Sequence, residues 1–238
     1  MLIQANKNKK LNIKVGDNEY LRIPITTHTI MPGDDLFAVI EQYATDYLQE
    51  GDILFVAEKI VAISQGRAFP LNSIKPRWFA YFLSKFVTKT PYGIGLGIPE
   101  TMEMALRECG FFRIFFAAVI SAITKIFKRK GDFYRIAGPK ARAIDGPTAG
   151  TIPPYDNYVV LGPENPSLVA TKIKDLFTEK IEVIIVDIND LGGNILGASF
   201  NGLDEPFCIN ILKDNPLGQG KESTPLGIIR EVVPEKTA

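Results

Sequence analysis

Two carboxylates three residues apart, Asp187 and Asp190, follow a run of four β-branched apolar residues, Val183, Ile184, Ile185 and Val186. The run is too short for a helix and apolar on both faces, which predicts a strand buried between two layers. The strand is expected to end on Asp187, with Gly192 and Gly193 allowing a tight turn beyond it. Carboxylates at the carboxyl end of a buried strand stand where mixed sheet-and-helix proteins place ligand chemistry. Two acids this close either repel or share a cation; the alternative is that they cap turns of a solvated loop. Lys59 is the second candidate. It comes directly after another buried-strand pattern, Ile53–Ala57 (ILFVA), with Glu58 beside it and Ser64, Gln65, Gly66 and Arg67 following. A lysine fixed there serves phosphate or carboxylate, or simply snorkels to the surface. The third candidate is Gly218-Gln219-Gly220-Lys221-Glu222, a Gly-rich turn with a lysine but without P-loop spacing. The fourth is Asp145, inside GPKARAIDGPTAGTIPPYDNY (138–158). Gly and Pro at that density argue against regular elements and for a rigid loop that approaches a ligand with its backbone.

The elements that must position these groups are legible in outline. Tyr20–Ile25 (YLRIPI) reads as a first strand closed by Pro24. Asp34 is the expected N-cap of a helix whose Leu36, Val39, Ile40, Tyr43, Ala44, Tyr47 and Leu48 share one face, and Gly51 is expected to close it. Residues 76–130 are rich in aromatics, include the only Trp (Trp78) and show no strand pattern. Pro99, with Glu100 and Glu103 after it, opens a helix through Cys109 that Gly110 ends. Phe111–Phe127 follows, closed by the basic run Lys128–Lys130. It is either a core helix of a second lobe or a helix lying on a membrane or partner surface. The expectation is burial of Phe112, Phe115, Phe116, Val119, Ile123 and Ile126, in the lobe core or a dimer interface. Asn165-Pro166 starts a short amphipathic helix (Leu168, Ile173, Leu176, Phe177), and Leu226–Val233 reads as a closing strand.

The chain of 238 residues, 46% hydrophobic, suits one two-lobed domain over 1–238 with a helical insertion at about 76–130. With 27 basic and 27 acidic residues the net charge is +0, so no global field favours nucleic acid. Cys109 and Cys208 have no metal-ligand spacing and make no disulfide framework, which fits free thiols in a reducing cytoplasm. The opening MLIQANKNKK lacks the apolar core of a signal peptide, and no uncharged apolar run is long enough to span a membrane.

Five segments together carry a resemblance: Ile23–Leu36 (IPITTHTIMPGDDL), Gly51–Arg67 (GDILFVAEKIVAISQGR), Ala141–Asp145 (ARAID), Ile184–Gly193 (IIVDINDLGG) and Leu217–Arg230 (LGQGKESTPLGIIR). In this order they resemble the gamma-glutamyl ligase family of the deazaflavin coenzyme F(420). The resemblance implies a two-lobed α+β fold of mixed sheet and helix, here with an extra Phe-rich helical region, and a homodimer. It implies GTP with Mg or Mn, and joining of L-glutamate to a small-molecule carboxylate through an amide. By position it puts the metal-binding aspartates on Asp145 and Asp187, with Gln219 a further ligand. Ile188 has no ligating side chain where the family carries Thr, so Asn189 or Asp190 would substitute. The nucleotide contacts would fall on Ile23, Pro24, Ile25 and Thr26, on Lys59, on Thr148, and on Gly218, Gln219, Gly220, Lys221 and Glu222. Lys59, Asp145 and Asp187 would carry catalysis. Bringing several phosphate and carboxylate oxygens together needs cations and backbone N–H groups, and no side-chain nucleophile. His28 then reads as a loop residue. The reading from a different class is a non-catalytic dimeric relative that binds a nucleotide or anion. A third makes the Phe-rich helix a membrane-surface anchor.

Overall fold

In the computed structural model, which describes residues 3–87, 94–129, 131–148, 151–190 and 192–233, the chain opens on a hairpin of β1 (Asn12–Val15) and β2 (Asn18–Ile25). Then come α1 (Leu36–Ala44), β3 (Ile53–Ala57), α2 (Glu58–Ser64), β4 (Ala68–Pro70), α3 (Trp78–Ser84), α4 (Pro99–Cys109) and α5 (Phe111–Ile126). They are followed by α6 (Asp132–Ala137), α7 (Pro139–Arg142), β5 (Tyr158–Val160), α8 (Pro166–Lys174), β6 (Glu182–Asn189), β7 (Gly192–Ala198), α9 (Glu205–Leu212) and β8 (Leu226–Val232). The architecture is α+β, and the chain divides into two compact units, Met1–Gln65 with Pro163–Ala238, and Gly66–Gly162. The aromatic-rich stretch 76–130 lies within the second.

The first unit is built on a six-stranded sheet in the order β1-β2-β8-β3-β6-β7, in which β3 and β6 run parallel and every other pair antiparallel. Strands β3 and β6 are apolar on both faces, as their sequences require. Phe55, Ile184 and Val186 pack with Cys208, Ile211 and Leu212 of α9. The alternating set, Leu54, Val56, Val183 and Ile185, is just as buried on the other face. Helix α8 approaches the sheet closely there: a Cβ on Gly197 of β7 would stand 2.3 Å from the Ser167 backbone nitrogen. Strand β2 ends at Ile25 as expected, with Pro24 inside it, and starts two residues earlier, at Asn18. Its pairing with β1 covers only Asn18–Leu21, so no β1 acceptor faces Pro24 and the missing N–H costs no ladder bond on that side. Likewise β6 runs to Asn189, two residues past the expected end. Helix α1 is capped by Asp35, whose Oδ1 accepts from the Phe37 N–H at 3.0 Å, and not by Asp34. Asp34 instead accepts from the Met31 N–H at 2.7 Å inside the preceding loop.

A buried cation braces the edge of this sheet. Arg22 is 1% exposed, ion-paired to Asp214, and donates to the carbonyls of Lys10 (2.7 Å) and Ile211 (3.0 Å). Burial alone would raise the Asp214 pKa; the Arg22 guanidinium more than offsets that and holds it below the ordinary carboxylate range.

The second unit packs α3, α4, α5, α6 and α7 with the two-stranded sheet β4–β5 around Met102, Leu106, Ile114, Ile144 and Val159. Helix α4 begins at Pro99 and stops at Gly110, as its sequence predicts. Its Glu103, buried, accepts from Arg77 (3.1 Å) and Arg107 (2.9 Å). Within 138–158, where irregular loop is expected, Pro139 starts the single turn α7, because its fixed φ suits a first helical position. Ala149 and Gly150 of that stretch lie outside the described residues, as do Leu191 and Lys130. The expectation that the Phe-rich helix fills the core of its lobe is not met. Only Ile114 and Ala117 of α5 are buried, while Phe112, Phe115, Phe116, Val119, Ile123 and Ile126 are exposed. The reason is the width of the apolar arc: the inner stripe is narrow, with Ile114 its one large apolar side chain, so the other large ones are left to face outward.

Candidate active site

The register of the first unit's sheet gathers four chain ends on one edge. Val186 of β6 is the partner of Ala57 in β3, and both Val56 of β3 and Ile25 of β2 oppose Leu226 of β8. The exits of β2 and β3, and the last third of β6, therefore stand beside the entry to β8. Thr26 follows the first exit, Glu58 and Lys59 the second, and Asp187 lies one residue past Val186 on β6. The Gly-rich turn 217–225 leads into β8. Expected site residues spread across nearly two hundred positions thus share one sheet edge because the strands that carry them are paired. Thr26 is exposed; Glu58, Lys59 and Asp187 are half-buried.

The Gly-rich turn is held rather than loose. The Ala57 N–H donates to the Pro225 carbonyl at 2.9 Å, and the Thr27 N–H donates to the Ser223 carbonyl at 2.9 Å. The Ser223 hydroxyl returns a bond to the Thr27 carbonyl at 2.9 Å. The Thr224 hydroxyl donates to the Leu217 carbonyl at 2.6 Å, and the Asn215 side chain donates to the Gly218 carbonyl at 2.8 Å. Glu222 folds back under the turn and accepts from the Gly220 N–H at 2.7 Å. Gly218 has φ +78° and only 3.0 Å of room before that carboxylate, so a side chain there would be both strained and crowded. Gln219 and Lys221 are left exposed at the tip. A rigid turn that presents backbone and a lysine to solvent suits an anionic ligand.

Thr27 and Ser223, which fix the turn to the end of β2, are the residues that the sequence does not announce. They stand 196 positions apart, and no spacing rule links them.

Asp190 is placed differently from Asp187. It lies past the end of β6, exposed, and forms an ion pair at 2.7 Å with Lys9, which also donates to the Asp214 carbonyl at 2.6 Å. His28 sits in the loop before α1, with Nδ1 3.1 Å from the Tyr43 hydroxyl and Nε2 3.3 Å from Asp34. Among the described residues no three His, Cys, Asp or Glu side chains gather into a metal cage. A magnesium-type ion does not need one, since it commonly takes one or two carboxylates and completes its shell with phosphate and water.

Asp145 and Thr148 belong to the second unit. The Asp145 backbone is pinned on both sides to β5, its N–H donating to the Val160 carbonyl at 2.8 Å and its carbonyl accepting from Val160 at 2.9 Å. Gly146 packs against Thr101 of α4, where an added Cβ would come within 3.1 Å of the threonine methyl. The Thr148 hydroxyl turns back to the Gly146 carbonyl at 3.2 Å. Arg67, in the segment that resembles the family, donates to the Gly162 carbonyl at 2.6 Å and to Glu108 at 2.7 Å. This unit also holds an open cleft of about 750 Å³ lined by Pro70, Glu100, Pro153, Asp156 and Tyr158 among others, and none of the expected site residues lines it.

Neither thiol is set up as a nucleophile. Burial, then the nearby Asp204 and Glu205 carboxylates, push the Cys208 pKa up to about 11. Burial and Glu108 raise that of Cys109.

A family model described as F420-0:Gamma-glutamyl ligase matches residues 24–196. Among curated proteins, the Coenzyme F420:L-glutamate ligase of Methanopyrus kandleri is 25% identical, in an alignment that covers 87% of this chain and 84% of that protein.

Proposed function

We propose, since the chain belongs to the F420-0:gamma-glutamyl ligase family, that it is a nucleotide- and metal-dependent amide ligase. It joins an amino acid, L-glutamate by analogy with the curated relative, to a small-molecule carboxylate. The observation that carries the reading is the shared sheet edge: Thr26 follows β2, Lys59 opens the helix after β3, Asp187 lies on β6 one residue past Val186, and the pinned turn at Gly218–Glu222 leads into β8.

The chemistry asks little of side chains as reactants. An acceptor carboxylate oxygen attacks the γ-phosphorus of GTP, giving an acyl phosphate and GDP. The glutamate amine then attacks the acyl carbon, the C–N bond forms, the C–O bond to phosphate breaks, and the amine proton leaves to solvent. Lys59 neutralises phosphate oxygens as charge shifts among them. The backbone N–H groups and Lys221 of the Gly-rich turn hold the phosphate chain. Asp187 is the carboxylate of this edge proposed for Mg²⁺ or Mn²⁺, with Gln219 as a further donor; such an ion would supply charge neutralisation for phosphate oxygens. Asp145, in the second unit, is proposed as a metal-binding carboxylate on the family resemblance alone. Asp190 is ion-paired with Lys9 away from this edge, and Asp187 is the carboxylate of the two that is proposed for this role. The protein is proposed to act as a homodimer in the cytoplasm.

A thermal-shift titration with GTP, ATP and GDP, each with Mg²⁺ or Mn²⁺, tests this. A stabilisation by GTP with metal is expected, and Lys59→Met should weaken triphosphate affinity by about 10- to 100-fold, the loss of a charge-assisted bond of roughly 1.5–3 kcal/mol. No shift with any nucleotide sinks the ligase reading. A shift without amide formation from glutamate and a carboxylate acceptor would favour a non-catalytic nucleotide- or anion-binding relative.

A further inference from the structure

The outer face of α3 and α5 is a large apolar surface on which none of the described residues packs. Trp78 is 75% exposed, Phe112 75%, Phe116 56% and Ile126 79%, with Phe82 and Phe86 half or more exposed beside them. The two helices form one surface. The Phe79 ring meets Phe111 at 4.7 Å and Phe115 at 6.1 Å, and the Lys125 ammonium donates to the Phe86 carbonyl at 2.9 Å. A surface helix ordinarily turns its large apolar residues inward. Helix α5 does the reverse: Ile114, Ala117, Ser121 and Thr124 make a narrow inner stripe, and most of the phenylalanines and isoleucines point out. Patches of this extent mark a docking surface.

The charges around the patch identify what docks. Residues 71–87 and 109–129 together carry seven Lys and Arg and no Asp or Glu, leaving 20 basic and 27 acidic residues in the rest of the chain. The neutral total hides a strong local imbalance. The acids that neighbouring elements bring against these helices are not open counter-charges. Glu103 of α4 is buried under Arg77 and Arg107, and Asp132 of α6 is buried under Arg129 and Arg135. Exposed Lys85 and Lys128 stand just past the carboxyl-terminal ends of the two helices, next in sequence to exposed Phe86 and Phe127. A two-fold contact with a second copy would press each basic patch against itself. An anionic surface would neutralise it.

We propose that this face docks on an anionic phospholipid bilayer, with the aromatic side chains entering the headgroup–acyl boundary and the lysines meeting lipid phosphates. The helix lies on the membrane and does not cross it. At 16 residues α5 is about 24 Å long, short of the roughly 30 Å hydrocarbon core. Its neighbour α4, across the bend at Gly110, is committed to the protein core.

Trp78 is the only tryptophan and sits on the face, so it reports directly. Titrating the full chain with vesicles of phosphatidylcholine and phosphatidylglycerol should shift its emission to the blue, and 0.5 M salt should weaken binding. Pure phosphatidylcholine vesicles should bind at least tenfold more weakly. Phe116→Ser with Ile126→Ser should lower affinity for the mixed vesicles at least tenfold while leaving the melting temperature in buffer within a few degrees. No emission shift, equal binding to both vesicle types, or a variant that binds as the parent does would each overturn the proposal. So would a lipid-free dimer that the double variant splits into monomers, since a second copy would then be the occupant.

Discussion

Helices α4 and α5 are neighbours through Gly110, yet α4 buries six of its eleven residues and α5 two of its sixteen. By composition the order should be reversed, because α5 is far the more apolar. What decides burial is the inner stripe. Along α4 the positions facing the core carry Met102, Ala105 and Leu106, and even Glu103 is drawn in because Arg77 and Arg107 satisfy it. Along α5 the inner stripe is narrow: Ile114 is its one large apolar side chain, followed by Ala117, Ser121 and Thr124, and it cannot hide the phenylalanines on the remaining arc. Apolar content sets how much surface a helix would bury given a partner; spacing sets how much of it the chain itself supplies.

The largest expected effect tests the same rule where a cation is hidden instead. Arg22 is as buried as any aliphatic side chain in the first unit, because Asp214 and the carbonyls of Lys10 and Ile211 take its donors. Arg22→Met keeps the volume and removes every one of those bonds. It should destabilise by about 2–4 kcal/mol, because the Lys10 and Ile211 carbonyls lose their donor while the partly exposed Asp214 regains water, read as a fall in denaturant midpoint with the slope unchanged. A change under about 1 kcal/mol would mean that the acceptors find water once the guanidinium is gone.

How much of this was legible in the sequence differs between the two units for the same reason. Strands β3 and β6 were readable because both faces are apolar, and four β-branched residues in a row leave no other periodicity. Helices α4 and α8 were readable because proline fixes their first turns. Strand β1 and helices α2, α3 and α9 went unread. They are short, and their stability comes from what they pack upon rather than from a local pattern. At the candidate site the carriers Lys59, Asp187 and the Gly218–Glu222 turn were visible as residue types. Their assembly on one edge was not, since it depends on the register of β2, β3, β6 and β8. The brace between Thr27 and Ser223 depends on the same register. The Asp34-for-Asp35 cap was a choice between adjacent equivalents that only the loop's own hydrogen bonds settle.

A smaller effect sharpens the account of α4. Burial would raise the Glu103 pKa, but the Arg77 bonds, then the Arg107 bond, more than offset it and hold the group below its ordinary value of 4.5. A carboxylate with a depressed folded pKa contributes stability that is full above the unfolded value and is lost as pH falls through the folded one. Stability should therefore decline as the solution is acidified below about 4.5. Glu103→Gln should remove part of that decline, at a cost near neutral pH of about 1–2 kcal/mol for the weakened bonds. Parallel acid-titration curves for the two proteins would show instead that the arginines, both half-exposed, hold Glu103 too weakly to matter.

The smallest expected effect is the one that would break the comparison most directly. Ile126 and Ile114 are the same residue on the same helix, 79% and 0% exposed. Truncating Ile114 to Ala removes buried methylenes and leaves a void beside Ala117 and the α6 side chains, which costs about 2–5 kcal/mol. Truncating Ile126 removes surface that water already covers, so the transfer term vanishes and no cavity forms. Ile126→Ala should then change stability by no more than about 0.5 kcal/mol, and the helix propensity of alanine pushes that small change towards stabilisation. Equilibrium unfolding of both variants in dilute lipid-free buffer is the measurement. If Ile126→Ala costs as much as Ile114→Ala, the outer face is already covered in solution by another copy of the chain. Repeating the pair across a range of protein concentrations would expose that, because stability drawn from self-association rises with concentration whereas stability drawn from the chain's own core does not.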